Sequence, residues 1–79
     1  VICVGSVIRG ETAHFDYVCQ AVSQGVKDVS LEYNLPVIFG VLTDDNIEQS
    51  RARSGGEHGN KGTEAALTAL EMLALRDSL

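Results

Sequence analysis

Two apolar, β-branched runs set the strongest constraint on this chain, because a long stretch of helical periodicity lies between them. Val1-Ile-Cys-Val-Gly-Ser-Val-Ile8 and Pro36-Val-Ile-Phe-Gly-Val-Leu-Thr43 are almost continuously apolar. Such runs suit strands covered on both faces, as in a parallel sheet. Between them Phe15, Val18, Cys19, Val22, Val26, Val29 and Tyr33 recur at helical spacing, with Asp16, Gln20, Lys27 and Asp28 on the other side. This predicts a helix from about 13 to about 34, N-capped by Thr12 and ending before Pro36. A strand, a long helix and a second strand make a βαβ unit, which crosses over right-handed in nearly all cases. Pro36 takes the first strand position, where the missing N–H is tolerated.

After the second run, Thr43, Asp44 or Asp45 can cap a short helix ending near Arg53. Ser54-Gly-Gly-Glu-His-Gly59 reads as a loop. A last helix is expected from about Asn60 to about Arg76, where strong helix formers surround a broad apolar face. The order is β-α-β-α-α, with no repeats. Two strands do not make a stable α/β sheet, so further strands are expected N-terminal to Val1 or from another chain. The chain opens without Met, directly in a strand-like run. That reads as a truncated or processed product, or as one piece of a longer chain.

With 79 residues the chain is one domain at most, and a domain this small needs staples or partners. Its two cysteines are too few for a disulfide framework. Cys3 and Cys19 each sit in apolar surroundings and read as reduced core thiols, which fits a reducing compartment such as the cytoplasm. A formal net charge of −5 argues against nucleic-acid and anionic-membrane partners. No apolar run reaches the length of a membrane span, and no signal peptide is visible.

Two segments carry chemistry. Gly5 to Phe15 leaves the C-terminal end of a strand and enters the N-terminus of a helix, the edge where open α/β sheets bind ligands. Free N–H groups and the positive dipole end there favour an anion such as phosphate. Gly10 permits close backbone approach, Thr12 adds a hydroxyl, and His14 in the first turn can move protons near neutral pH. An ordinary strand-to-helix turn with a surface histidine explains the same pattern. The second segment is Arg51 to Glu64. Arg53, at a helix end before two glycines, can hold phosphate. Lys61 and Glu64, at i and i+3, share one side of the helix start and can bind a polar ring or pair with each other. His58 reads as solvent-exposed. The histidines and carboxylates show no metal-binding spacing, and no P-loop, nucleophile elbow or dinucleotide fingerprint occurs. Proton transfer and anion holding are the visible tools, suited to a condensation without a cofactor.

Gly5-Ser-Val-Ile-Arg-Gly-Glu-Thr-Ala-His-Phe-Asp-Tyr17, Pro36-Val-Ile-Phe-Gly-Val-Leu-Thr43 and Gly59-Asn-Lys-Gly-Thr-Glu-Ala-Ala66 together resemble the lumazine synthase family, in its order and at its spacing. The resemblance covers residues 1–79 as the C-terminal part of a single domain. It implies a three-layer α/β/α fold with a parallel sheet, of which this chain holds the β-α-β-α-α portion.

The resemblance also implies a transferase of riboflavin biosynthesis. That enzyme condenses 5-amino-6-(D-ribitylamino)uracil with 3,4-dihydroxy-2-butanone 4-phosphate to 6,7-dimethyl-8-ribityllumazine, phosphate and water. His14 matches the family's proton donor. Ser6, Val7 and Ile8 match pyrimidine-pocket positions, and Glu11 and Thr12 match the pair that binds the keto-phosphate. Phe39 matches an aromatic packed on the heterocycle from the neighbouring subunit, and Arg53 a phosphate-binding arginine also given across the interface. Lys61 and Glu64 match charged residues close to the site. Glu57 stands where many relatives have a basic residue, which makes the field near Arg53 less positive.

The implied partners are copies of the same chain, in a pentamer, a decamer or an icosahedral shell. An N-terminal half, in cis or as a separate chain, must supply the stacking aromatic and ribityl-binding loop that this chain lacks. Alternatives from other classes are a structural shell subunit without chemistry and a riboflavin synthase of the archaeal kind.

Overall fold

The computed structural model describes residues 1–79. In chain order the elements are β1 (Ile2–Ile8), α1 (His14–Tyr33), β2 (Ile38–Asp44), α2 (Ile47–Ala52), β3 (Ser54–Gly56), β4 (Gly59–Asn60) and α3 (Lys61–Ser78). β1 and β2 pair in parallel, from Ile2 opposite Ile38 to Ile8 opposite Asp44. The crossover between them is α1, so the βαβ unit expected from the periodicity is present. β3 and β4 form a small antiparallel hairpin with a register irregularity. That corrects the expectation of a plain loop over 54–59. The glycines that make the segment look loop-like also let it turn tightly. A Cβ at Gly56 would lie 2.8 Å from the Arg51 carbonyl oxygen, so only glycine lets the hairpin fold back onto the end of α2.

Two helix starts differ from expectation. α1 begins after Ala13, which makes no side-chain cap, while the Thr12 hydroxyl accepts from the His14 N–H at a long 3.4 Å. α2 is capped by Asn46 rather than by Thr43, Asp44 or Asp45; the Asn46 side chain accepts from the Gln49 N–H at 2.9 Å. Asn46 is the residue in the extended conformation that a cap needs, whereas Asp44 still belongs to β2. The far end of α1 closes with Asn34 in the left-handed conformation, its N–H donating to the Ser30 carbonyl. Asn60 caps α3 through the Thr63 N–H.

The core is small and lies on β2. Ile38, Val41 and Leu42 are buried with Phe15 of α1 and Ala65 of α3. Strand alternation puts Ile38, Gly40 and Leu42 on one face and Phe39, Val41 and Thr43 on the other. Gly40 faces α3: an added Cβ would lie 3.3 Å from the Ala65 Cβ and 2.9 Å from the Cys3 carbonyl oxygen. On the opposite face Phe39 lies beside Val26 and Ser30 of α1. The sheet is therefore flanked by helices on both sides, in a mixed α/β arrangement.

β1 does not meet the expectation of cover on both faces. Only Cys3 and Val7 are half-buried; Ile2, Val4 and Ile8 are exposed. Val29 and Tyr33 also remain exposed on α1. Both cysteines are free and half-buried rather than enclosed.

Candidate active site

A cleft of about 400 Å³ opens beside β2, lined by Phe39, Val41, Leu42, Thr43, Arg53, His58, Lys61 and Glu64. Each side chain arrives for a local reason. Phe39, Val41 and Thr43 are alternate residues of β2. Arg53 closes α2, where its N–H donates to the Ser50 carbonyl at 3.2 Å. Its own carbonyl accepts from the Lys61 N–H at 2.7 Å, which ties the end of α2 to the start of α3. Lys61 and Glu64 occupy the first turn of α3, one turn apart on a shared side. They make no ion pair with each other, so the pairing left open from the spacing is not what the structure shows.

His58, set aside on sequence as a loop residue, lines the same cleft. Its N–H donates to the Ala52 carbonyl at 2.8 Å, which fixes the hairpin turn over α2. His58 is exposed, as expected, and Gly55 and Gly59 on either side of it both take positive φ.

The guanidinium of Arg53 donates to Asp44 Oδ1 at 3.1 Å, and its side chain is still 55% exposed. An adjoining cleft of about 370 Å³ shares Thr43, Arg53 and His58 and adds Asp44, Asp45 and Gln49. Asp44 is buried, and its Oδ2 accepts from the buried Ser50 hydroxyl at 2.8 Å. On sequence Ser50 was not singled out, and Asp44 was read only as a candidate helix cap. Nothing in a lone Thr-Asp-Asp run reveals that its first carboxylate turns inward.

The other candidate residues gather at the end of β1 and the start of α1. Ser6, Ile8, Glu11, Thr12 and His14 are exposed and Val7 is half-buried. His14 is the first residue of α1. The N–H groups of Gly10, Glu11, Thr12, Ala13 and Phe15 donate to no acceptor within the chain, so this turn presents a row of donors to an anion. Arg9 anchors the turn. Its N–H donates to the Asp44 carbonyl at 2.8 Å, its Nε to Asp45 Oδ1 at 2.7 Å, and its guanidinium lies 4.4 Å from the Phe15 ring centroid. The hydrogen bond to Asp45 is the main cause that raises the Arg9 pKa above its ordinary value.

None of Ser6, Val7, Ile8, Glu11, Thr12 or His14 lines the Arg53 cleft. One chain thus presents two half-sites: a donor-rich turn with an imidazole, and a cleft with an aromatic ring, a guanidinium, an ammonium and a carboxylate. A family model described as 6,7-dimethyl-8-ribityllumazine synthase matches residues 1–77, across both half-sites.

The chain belongs to the lumazine synthase family.

Lumazine synthases from individual organisms agree with this. The enzyme of Christiangramia forsetii is 64% identical over 76 residues, covering 96% of this chain and 45% of the relative. That of Cytophaga hutchinsonii is 66% identical over 74 residues, covering 94% and 46%. That of Protochlamydia amoebophila is 56% identical over the whole chain and 46% of its own length. The chain therefore spans about half the length of the lumazine synthases it matches.

Proposed function

We propose that this chain forms the C-terminal half of a lumazine synthase subunit and contributes to two different active sites of a ring of copies. The carrying observation is that no β1–α1 candidate residue lines the Arg53 cleft of this family-matched chain. A condensation of two substrates needs both sets of groups around one pair of reacting molecules. The chain's own Arg53 cleft holds none of the β1–α1 groups, so the two sets meet where one copy's turn faces its neighbour's cleft. A head-to-tail interface that closes into a ring brings such non-identical patches together.

In this reading the keto-phosphate rests on the free N–H groups around Glu11 and Thr12, at the positive end of α1, and the neighbour's Arg53 closes over the phosphate. The ribitylaminouracil lies against Ser6, Val7 and Ile8 and is covered by the neighbour's Phe39, with Lys61 and Glu64 near its polar edge. Attack of the uracil's free amine on the ketone gives an imine. Loss of phosphate and ring closure then yield 6,7-dimethyl-8-ribityllumazine. His14 moves the protons; no metal or cofactor is required by the donor set. Holding both substrates in a reactive orientation removes up to about 7–11 kcal/mol of the barrier.

The remaining parts, a stacking aromatic and a ribityl-binding loop, come from an N-terminal half in cis or as a second polypeptide. Two free cysteines suit a reducing compartment, which supports a cytoplasmic location. No helix is long and apolar enough to cross a membrane.

The test is steady-state turnover of the enzyme completed by that N-terminal half. His14→Ala lowers kcat by about 10- to 10⁴-fold, the range of general acid–base catalysis. Turnover equal to wild type removes His14 from the mechanism.

A further inference from the structure

The groups behind Arg53 form a line of hydrogen bonds with a fixed direction. Ser50 Oγ donates its single proton to Asp44 Oδ2 at 2.8 Å. Its 2.9 Å contact with Ser6 Oγ is therefore one in which Ser6 donates. Arg53 donates to the other oxygen, Asp44 Oδ1, at 3.1 Å. Every donor in the line, from Ser6 through Ser50 and from Arg53, ends on one carboxylate. That polarity suits the ionised form of Asp44 and leaves no buried side-chain polar atom without a partner.

The Asp44 side chain is 3% exposed, whereas the Arg53 side chain is 55% exposed and lines both adjoining clefts. Asp44 occupies one nitrogen of the guanidinium fork. The rest of the fork is left for an incoming anion, which must then share Arg53 with a fixed negative charge behind it. Burial weakens the screening of that charge.

We infer that Asp44, held by Ser50 and Ser6, is an internal counter-ion that limits how tightly Arg53 grips phosphate and so eases release of the phosphate that the reaction produces. Asp44 is a positioning residue that acts through Arg53. The inference rests on the reading of Arg53 as the phosphate-binding arginine.

The experiment measures competitive inhibition by inorganic phosphate against the keto-phosphate in the completed enzyme. The variants are Asp44→Asn, Asp44→Ser and Arg53→Ala, with folding checked by circular dichroism. Two neutral replacements are used so that one remains informative if the other does not fold. Both are expected to lower the Ki for phosphate by about three- to tenfold and to lower KM for the keto-phosphate, without raising kcat. A purely structural Asp44 would act in the opposite sense, since its loss would loosen Arg53 and raise both constants. An unchanged or raised Ki in the folded Asp44 variants, with Arg53→Ala weakening phosphate, overturns the inference alone. Arg53→Ala leaving Ki and KM unchanged overturns the assignment of Arg53 itself, and the inference with it.

Discussion

Arg53 and Arg9 are both paired with aspartates, yet the structure uses them in opposite ways. Arg9 lies at the surface, 46% exposed, and spends its guanidinium on three neighbours within the chain: Asp45, Asp16 at 3.7 Å and the Phe15 ring. Arg53 gives one nitrogen to a buried carboxylate and keeps more than half of its side chain in the cleft. With one intrachain partner instead of three, Arg53 keeps more of its fork free for a ligand. Arg53→Ala is therefore expected to raise KM for the keto-phosphate by at least tenfold, on the order of a lost charge-assisted hydrogen bond, with a smaller change in kcat. An effect confined to the other substrate would contradict the phosphate role. Much at this scale was legible in advance. Arg53, Lys61 and Glu64 were singled out because charges beside glycines and helix starts suit polar ligands, and the structure sets them around one cleft with Phe39. What could not be read was the burial of Asp44. Whether a carboxylate after a strand turns to solvent or inward depends on Ser50 and Ser6, remote in sequence and joined only by the fold.

At the scale of elements, β2 is the organising piece: it carries most of the core, one wall of the cleft and, in Asp44, the anchor of Arg53. Its contact with α3 depends on a missing side chain. Gly40→Val would push methyl groups into a gap where even a Cβ lies 2.9 Å from the Cys3 carbonyl oxygen and 3.3 Å from the Ala65 Cβ. A loss of about 1–3 kcal/mol is expected, read as a lower midpoint in urea unfolding of the completed enzyme. An unchanged midpoint would mean that α3 does not pack on β2 as described. The long elements β1, α1, β2 and α3 were legible because hydrophobic period is a local property. The β3–β4 hairpin was not, because glycine-rich segments encode permission to turn rather than a direction. The cap of α2 was misplaced for a related reason: Thr43, Asp44, Asp45 and Asn46 are all able caps, and the length of β2 decides among them.

As a whole molecule the chain leaves much of its apolar surface open. Its radius of gyration is 14.0 Å, against about 12 Å for a compact domain of this length. Val4, Leu31, Leu70 and Leu75 are all more than half exposed. The sequence already implied missing strands, since two cannot sustain a sheet; it could not tell which strand would lie bare, and the structure shows that it is β1. The 79-residue chain alone is expected to bind a hydrophobic dye such as ANS and to unfold without a sharp transition, and dye binding should fall when an N-terminal half is added. Sharp, two-state unfolding of the lone chain with no dye binding would contradict this. The central claim, a site shared between neighbours, has a direct test in mixed assemblies. His14→Ala and Arg53→Ala subunits are refolded together in equal amounts and assayed at low keto-phosphate, where each variant alone is nearly inactive. A site built across the interface regains activity wherever an intact turn meets an intact cleft, which gives about a quarter of wild-type turnover for random mixing. A site built within one subunit regains none, and a mixture no more active than its parents would contradict the shared site.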